Sequence, residues 1–288
     1  YMIVPTAEEA DTTAAAMPVS KISINRFAVT DASPLRYRSV ADPLDVTLNL
    51  HEVALAGHDA PVYRLGIDGN LNWDLLRDWN LESLTFGAQG EIDWDMNNPM
   101  AVAVEGFRLS ADSLQVTVDA SVDFSHAPLV RSLKVESGDI SVSEVLQHMP
   151  EDVRKPFQKL ETDMTARVAF ELKSPWLLTD SVLPSLDGRL SVPECSAMYD
   201  GRIFRRIAAS VRAEVDGKDM DASRFVLERL VIEGECVDID LRARVTDVES
   251  DPLAEGRFKG SVNLSRLPAG LRDMIPGSVE GLLKGDAD

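Results

Sequence analysis

The stretch GDISVSEVLQHMPEDVRKPFQKLETDMTARVAFEL, residues 138–172, decides how the chain is read. Upstream, Leu133 and Val135 close an extended segment. Ile140 to Met149 then offers Ser141 or Ser143 as a helix cap. Val142, Val145, Leu146 and Met149 follow at helical spacing, and Pro150 ends the turn. Glu151 to Leu160 reads as a second helical piece with a basic end. From Met164 the period changes. Met164, Ala166, Val168, Phe170 and Leu172 alternate almost strictly with polar residues, as a strand with one buried face does.

This strand–helix–strand unit recurs. Phe258 to Leu264 reads as a strand, Ser265 to Ile275 as a short helix, and Pro276 precedes a new strand at Val279, Gly281 and Leu283. A weaker echo runs from Leu71 to Trp79 and into Leu84 to Trp94. Between these units the alternation is plainer still. In Ser113 to Phe124, Leu114, Val116, Val118, Ala120, Val122 and Phe124 face one way, and Ser113, Gln115, Thr117, Asp119, Ser121 and Asp123 the other. At roughly 3.3 Å per residue that strand would span about 40 Å. Met100, Val102, Val104, Phe107 and Leu109 form its expected antiparallel partner.

Ile22, Ile24, Phe27 and Val29 read as a strand with room for a bulge at Asn25-Arg26. Leu44 to His51, Tyr63 to Trp73, Ile207 to Val215 and Val237 to Val245 read as half-buried strands. Asp187-Gly188, Asp200-Gly201 and Asp216-Gly217 are the turn signals, the last a hairpin leading to Phe225, Leu227, Leu230 and Ile232. Roughly a dozen strands follow from the turn spacing. Residues 1–18 lack this pattern and read as a linker or tail. Residues 19–135 form a first β-module, and 136–288 a second, carrying the strand–helix–strand repeats. We expect a mostly-β fold, an elongated, curved antiparallel sheet with short helices between strand sets. Its apolar faces either line a groove or partly closed barrel, or pack against each other in a β-sandwich.

Composition narrows the function classes. The 288 residues carry a net charge of −19 and a pI of about 4.6, which argues against nucleic acid and against broad docking on an anionic membrane. No apolar run approaches the roughly 20 residues of a membrane-spanning helix, and no signal peptide is visible. The chain opens at Tyr1 and stops at Asp288 inside an expected strand, so we read it as a fragment of a longer protein. Cys195 and Cys236 are too few for a disulfide framework, and their spacing leaves open whether they pair.

Chemistry-bearing patterns are sparse. His51, His58, His126 and His148 lie far apart. His51 and His126 read as surface or loop residues, and His148 as a helix-end residue suited to the C-terminal dipole. There is no Gly-x-Ser-x-Gly elbow, phosphate loop or dinucleotide turn, so we expect no enzyme, no metal and no cofactor. Asp93-Trp-Asp-Met-Asn-Asn98 begins like a calcium loop, but Asn98 stands where the glycine belongs and Val104 where the bidentate glutamate belongs. An acidic hairpin turn is the plainer reading. Asp119, Asp123, Asp238 and Asp240 read as solvated strand faces. Trp73, Trp79, Trp94 and Trp176 are scattered, a weak basis for a carbohydrate platform.

Several of these runs resemble the periplasmic region of AsmA-like proteins. They are Ile140-Ser-Val-Ser-Glu-Val-Leu146 with Met149-Pro150, the closing Val279-Glu-Gly-Leu-Leu-Lys-Gly-Asp-Ala-Asp288, Leu264-Ser-Arg-Leu-Pro268 and Val29-Thr-Asp-Ala-Ser-Pro-Leu35. The resemblance covers most of residues 19–288. It implies a cell-envelope protein of a Gram-negative-type bacterium, anchored in the inner membrane by an N-terminal helix that this chain lacks. Its β-groove would lie in the periplasm, pass lipids toward the outer membrane or regulate outer-membrane assembly, and meet phospholipid acyl chains and other envelope proteins as partners. On that reading Val102, Val104, Leu114, Val116, Val118, Val122, Phe124, Val168, Phe170, Val211, Ile239 and Leu241 are the candidate groove lining. The competing expectations are a β-sandwich scaffold or adhesion module, in which the same aliphatic faces form a sealed core, and a carbohydrate-binding module.

Overall fold

A computed structural model describes residues 26–31, 33–39, 44–59, 62–73, 83–94, 100–179, 182–268 and 281–287. The first half contains β1 (Arg26–Thr30), β2 (Leu35–Ser39), β3 (Leu44–Asp59), β4 (Val62–Trp73), β5 (Leu84–Trp94), β6 (Ala101–Ala111), β7 (Leu114–Asp123) and β8 (Leu129–Ser137). Then come β9 (Ile140–Ser141), α1 (Val142–His148), α2 (Glu151–Arg154), β10 (Leu160–Thr162), β11 (Thr165–Leu172) and β12 (Trp176–Leu177). The chain continues through β13 (Leu186–Tyr199), β14 (Arg202–Val215), β15 (Arg224–Gly234), β16 (Val237–Thr246), β17 (Leu253–Asn263) and β18 (Leu282–Ala287).

All 18 strands belong to one antiparallel sheet, which is not closed into a barrel. The long strands pair in chain order, from β3 to β8, then β11, then β13 to β18. β1 and β2 share the outer edge of β3. β9, β10 and β12 are two- and three-residue pieces that patch the ends of β8, β11 and β13. One sheet rather than two rules out the face-to-face sandwich. The turn-based estimate of a dozen strands was low because it could not see these short edge and patch strands.

Local chemistry explains the elements. Ser141 caps α1, its Oγ accepting the Glu144 amide proton at 3.4 Å, and Pro150 separates α1 from α2. The second helical piece is shorter than expected. It is one turn of α-helix followed by a 3-10 turn at Lys155–Phe157, because Pro156 removes the next amide donor. The second copy of the unit gives only a 3-10 turn at Leu264–Arg266 before residues 269–280, which lie outside the described residues. Residues 1–25 and 74–82 also lie outside them, so the expected tail, the Ile22–Ile24 strand and the helical echo up to Trp79 do too.

Asp200-Gly201 is the tight turn expected between β13 and β14, with φ of 50° and 74°. Asp187-Gly188 is not a turn. Both residues sit inside β13, paired to β11 and β14, and Lys173 Nζ lies 2.7 Å from the Asp187 carboxylate. Asp216-Gly217 does not close a tight hairpin either. The Asp216 carboxylate accepts the Lys218 and Asp219 amides, which starts a longer loop through a 3-10 turn at Met220–Ala222.

Candidate functional site: a continuous apolar sheet face

Cross-strand register places every apolar stripe on the same side of the sheet. Val53, Ile67, Ala88, Leu109, Val116 and Ser137 are opposed in turn across β3 to β8. Val168, Leu190, Val211, Leu227, Ala243 and Gly256 continue the same lane across β11 to β17. A second lane beside it runs Leu55, Leu65, Gly90, Phe107, Val118 and Val135, then Phe170, Gly188, Ala213, Phe225, Val245 and Ala254. Eleven strand-to-strand steps at about 4.8 Å make each lane roughly 53 Å long. The one hydroxyl in the first lane is silenced locally. Ser137 Oγ accepts the Val168 amide at 2.8 Å and donates to the Gly138 carbonyl at 2.9 Å.

Bulges keep the lanes aligned where simple alternation would fail. Gly106 adopts φ 58° in β6, so Val104 and Phe107, three residues apart, point the same way. The extra residue is fixed by the Gly106 amide, which donates to Asp119 Oδ1 at 2.6 Å from the neighbouring strand. Aromatic rings then lie over glycines on adjacent strands. A Cβ added at Gly90 would stand 2.7 Å from the Phe107 ring, and one at Gly69 would stand 2.9 Å from the Phe86 ring. The glycines thereby flatten the face instead of opening holes in it.

This face is sheltered but not sealed. Only eleven apolar side chains are buried among the described residues, too few for a two-layer core in a chain of this length. Along β16, Ile239, Leu241, Ala243 and Val245 are half-buried while Asp238, Asp240, Arg242 and Arg244 are exposed. Val168 and Leu190, opposed in the first lane, stay 39% and 41% exposed. Among the described residues Tyr199, Phe204, Cys236 and Val237 form a small buried core joined by Leu160 and Leu267, while Tyr63, Phe107 and Val130 are buried elsewhere in the sheet. The Tyr199 hydroxyl also donates to the Pro156 carbonyl of the helical insert.

The opposite face is polar and laced with ion pairs. Arg206 joins three strands, reaching Glu194 at 2.9 Å and Glu233 at 3.0 Å. Arg167 holds Asp139 at 2.6 Å, which lowers the carboxyl's pKa. At the strand end, the Ser125 hydroxyl and amide, then Arg131, hold the Asp123 carboxyl far below the usual carboxylate range. Two recesses on this face, of about 520 and 730 Å³, are bordered by mixed charges such as Glu52, Asp68 and Arg108, and Arg206, Asp240 and Lys259. No group of three His, Cys, Asp or Glu side chains positioned for a metal occurs among the described residues.

Of the candidate lining residues, Val102, Val104, Leu114, Val116, Val118, Val122, Val168, Phe170, Val211, Ile239 and Leu241 all fall on the apolar face. Phe124 does not belong to a strand. It follows β7 in an exposed loop, its amide bonded to the Met100 carbonyl. Sequence reasoning missed Val53, Ile67, Ala88, Leu109 and Leu190 as members of the same lane, since only the pairing register aligns them. Cys195 and Cys236 are unpaired, with β14 and β15 lying between them in the sheet. Burial raises the pKa of both thiols. His51 contacts Asn70 at 3.1 Å, His126 is exposed in a loop and His148 ends α1. Trp94 packs against Tyr63 with ring centroids 6.4 Å apart, while Trp176 donates to the Val182 carbonyl, so these two do not form one platform. Asp95 to Asn98 of the acidic turn lie outside the described residues. No helix among the described residues is long and apolar enough to cross a membrane. Comparison with family models, curated proteins and solved structures gives no match.

Proposed function

We propose that this chain is a non-enzymatic carrier surface for lipid acyl chains, which lie across the strands along the apolar lanes. The observation that carries the reading is the register of predominantly apolar side chains across twelve long strands, interrupted by one serine and three glycines, with no second layer covering them among the described residues. Burial of each methylene against such a face is worth about 0.8 kcal/mol, and the lanes are long enough for several chains. The charges lie on the opposite, polar face, which stays in water, so acyl contact along the lanes needs no desolvation of ions. The resemblance to AsmA-like proteins supplies the biological setting of this proposal, a periplasmic protein tethered to the inner membrane and serving lipid homeostasis or outer-membrane assembly. Native mass spectrometry with lipid extraction tests it directly. Phospholipid retained at one or more molecules per chain is the expected result. A bare mass, with no uptake of added phospholipid, would refute the carrier reading.

A further inference from the structure

We propose that the polar face of the sheet at β15 and β16 binds a compact phosphate ester between Arg229, Arg242 and Arg244. At the bulge between Leu227 and Leu230, Glu228 and Arg229 of β15 together oppose Arg242 of β16. Arg244 lies two residues along β16 on the same face, and Arg257 of β17 stands directly opposite Arg242. Side chains so placed start about 5–7 Å apart, within reach of one another. Arg244 also shares a lane with Val226, Arg212 and Arg189. A chain of −19 thus gathers six arginines onto two adjoining lanes, with Arg189 and Arg212, and Arg242 and Arg257, in direct register. Like charges directly opposite each other destabilise a sheet, so the arrangement calls for an anion.

Not all six are available. Arg212 is paired with Glu214 at 3.1 Å, and Arg257 has an interaction of its own, so neither is counted. Arg189, Arg229, Arg242 and Arg244 make no ion pair or side-chain hydrogen bond among the described residues. Two acids share these lanes. Glu228 turns toward β14, accepting the Ser210 hydroxyl at 2.7 Å, and Glu255 stands opposite Arg244 without bridging it. Four unpaired arginines against these two acids leave a net +2. The next acids have cations beside them, Asp187 with Lys173 at 2.7 Å and Asp240 opposite Lys259.

The crowding selects phosphate. A carboxylate carries one charge and two acceptor oxygens, whereas a phosphate monoester carries about −1.5 to −2 and three, enough to take several guanidinium forks at once. Polymers and bilayers are disfavoured. Either would run past the patch onto Asp187 and Glu214 on one side and Asp238 and Asp240 on the other, against the field of the whole chain. The acyl lanes lie on the other side of the sheet, so one lipid cannot fill both sites, and this site is independent of the carrier reading.

Inorganic pyrophosphate, titrated calorimetrically into the 288-residue chain, tests the site. Binding is expected, and it should weaken about tenfold with loss of each arginine, so Arg242→Gln with Arg244→Gln should weaken it about a hundredfold with the far-UV spectrum unchanged. Lys155→Gln with Lys218→Gln removes the same charge from exposed positions away from the patch and should leave binding within about twofold of the parent. Arg242→Gln alone should raise the melting temperature of the bare chain by about 1–2 °C, by relieving the repulsion from Arg257, while losing most of the rise that pyrophosphate gives the parent. No binding by the parent, undiminished binding by the double arginine variant, equal loss in the lysine variant, or equally tight binding of citrate overturns the proposal. So does flotation with phosphatidic-acid vesicles that depends on Arg242 and Arg244 without any response to pyrophosphate, which would place the phosphate on a lipid headgroup.

Discussion

Replacing Val118 by Asp separates an open apolar face from a sealed core. Val118 sits in the second lane between Phe107 and Val135, and its side chain is half-buried. Fully burying a valine is worth about 1.5–3 kcal/mol, so losing a half-buried one should cost the fold only about 1–2 kcal/mol. The new carboxylate can reach water from this face and escapes the several kcal/mol that an unpaired charge in a dry core would impose. For a chain of this size the melting temperature should fall by only about 3–8 °C. Acyl-chain binding should suffer more. A chain that lifts off two or three methylenes around the charge forfeits about 2 kcal/mol, close to thirtyfold in affinity. Circular-dichroism melting and displacement of a fluorescent fatty-acid probe, run on the same sample, read both quantities. Leu241→Asp, in β16 at the far side of the sheet, should behave alike. A variant that unfolds outright would show that the face is sealed, and a folded variant with undiminished probe affinity would show that the lanes hold no acyl chain.

Gly90→Ala should destabilise by about 1–3 kcal/mol in urea, because the added Cβ would lie 2.9 Å from the Phe107 backbone as well as 2.7 Å from its ring. An unshifted midpoint would contradict the close approach of β5 to β6. The Asp123 carboxyl is depressed, so its contribution to stability is complete above the unfolded value near 3.9 and is lost as pH falls through its folded value. Asp123→Asn should therefore flatten the acid limb of the stability profile below about pH 4, and an unchanged limb would rule out this assignment. Cys236 is 3% exposed and Cys195 is half-buried, both free. A thiol reagent should modify Cys236 only slowly in the folded chain and titrate two thiols after denaturation, whereas a count of zero would mean that they had paired.

Much of the sheet was legible because its strands are one-sided. The alternation in Leu114 to Asp123 and Val237 to Val245 dictates which residues share a face, whatever the neighbours are. A serine cap at Ser141 or Ser143 and the Pro150 break were legible too, since both act through the adjacent backbone, and the structure uses Ser141. Register was not legible. Whether Val116 stands opposite Leu109 or a residue two places away depends on the Gly106 bulge, and that bulge is fixed by Asp119 on another strand. The choice between groove and sandwich was hidden for a related reason. Alternation reports that one face avoids water and is silent on what covers it. Asp187-Gly188 misled because a turn dipeptide was read without its partners, and pairing on both sides of β13 outweighs the local preference.

Pairing in chain order has a further consequence, for how such a protein assembles and grows. Each long strand leans on the one made just before it and the one made just after, so the fold resembles a zip more than a ball. Stability then accrues strand by strand from nearest-neighbour terms, and loosening should begin at either flank and travel inward. Ordering each hairpin closes only a short loop, which spares this very large sheet the slow search that distant strand pairing demands. Duplication of a hairpin would lengthen the lanes by about 10 Å while leaving every existing ladder intact, so reach along the sheet is a property that evolution can adjust without redesigning a core.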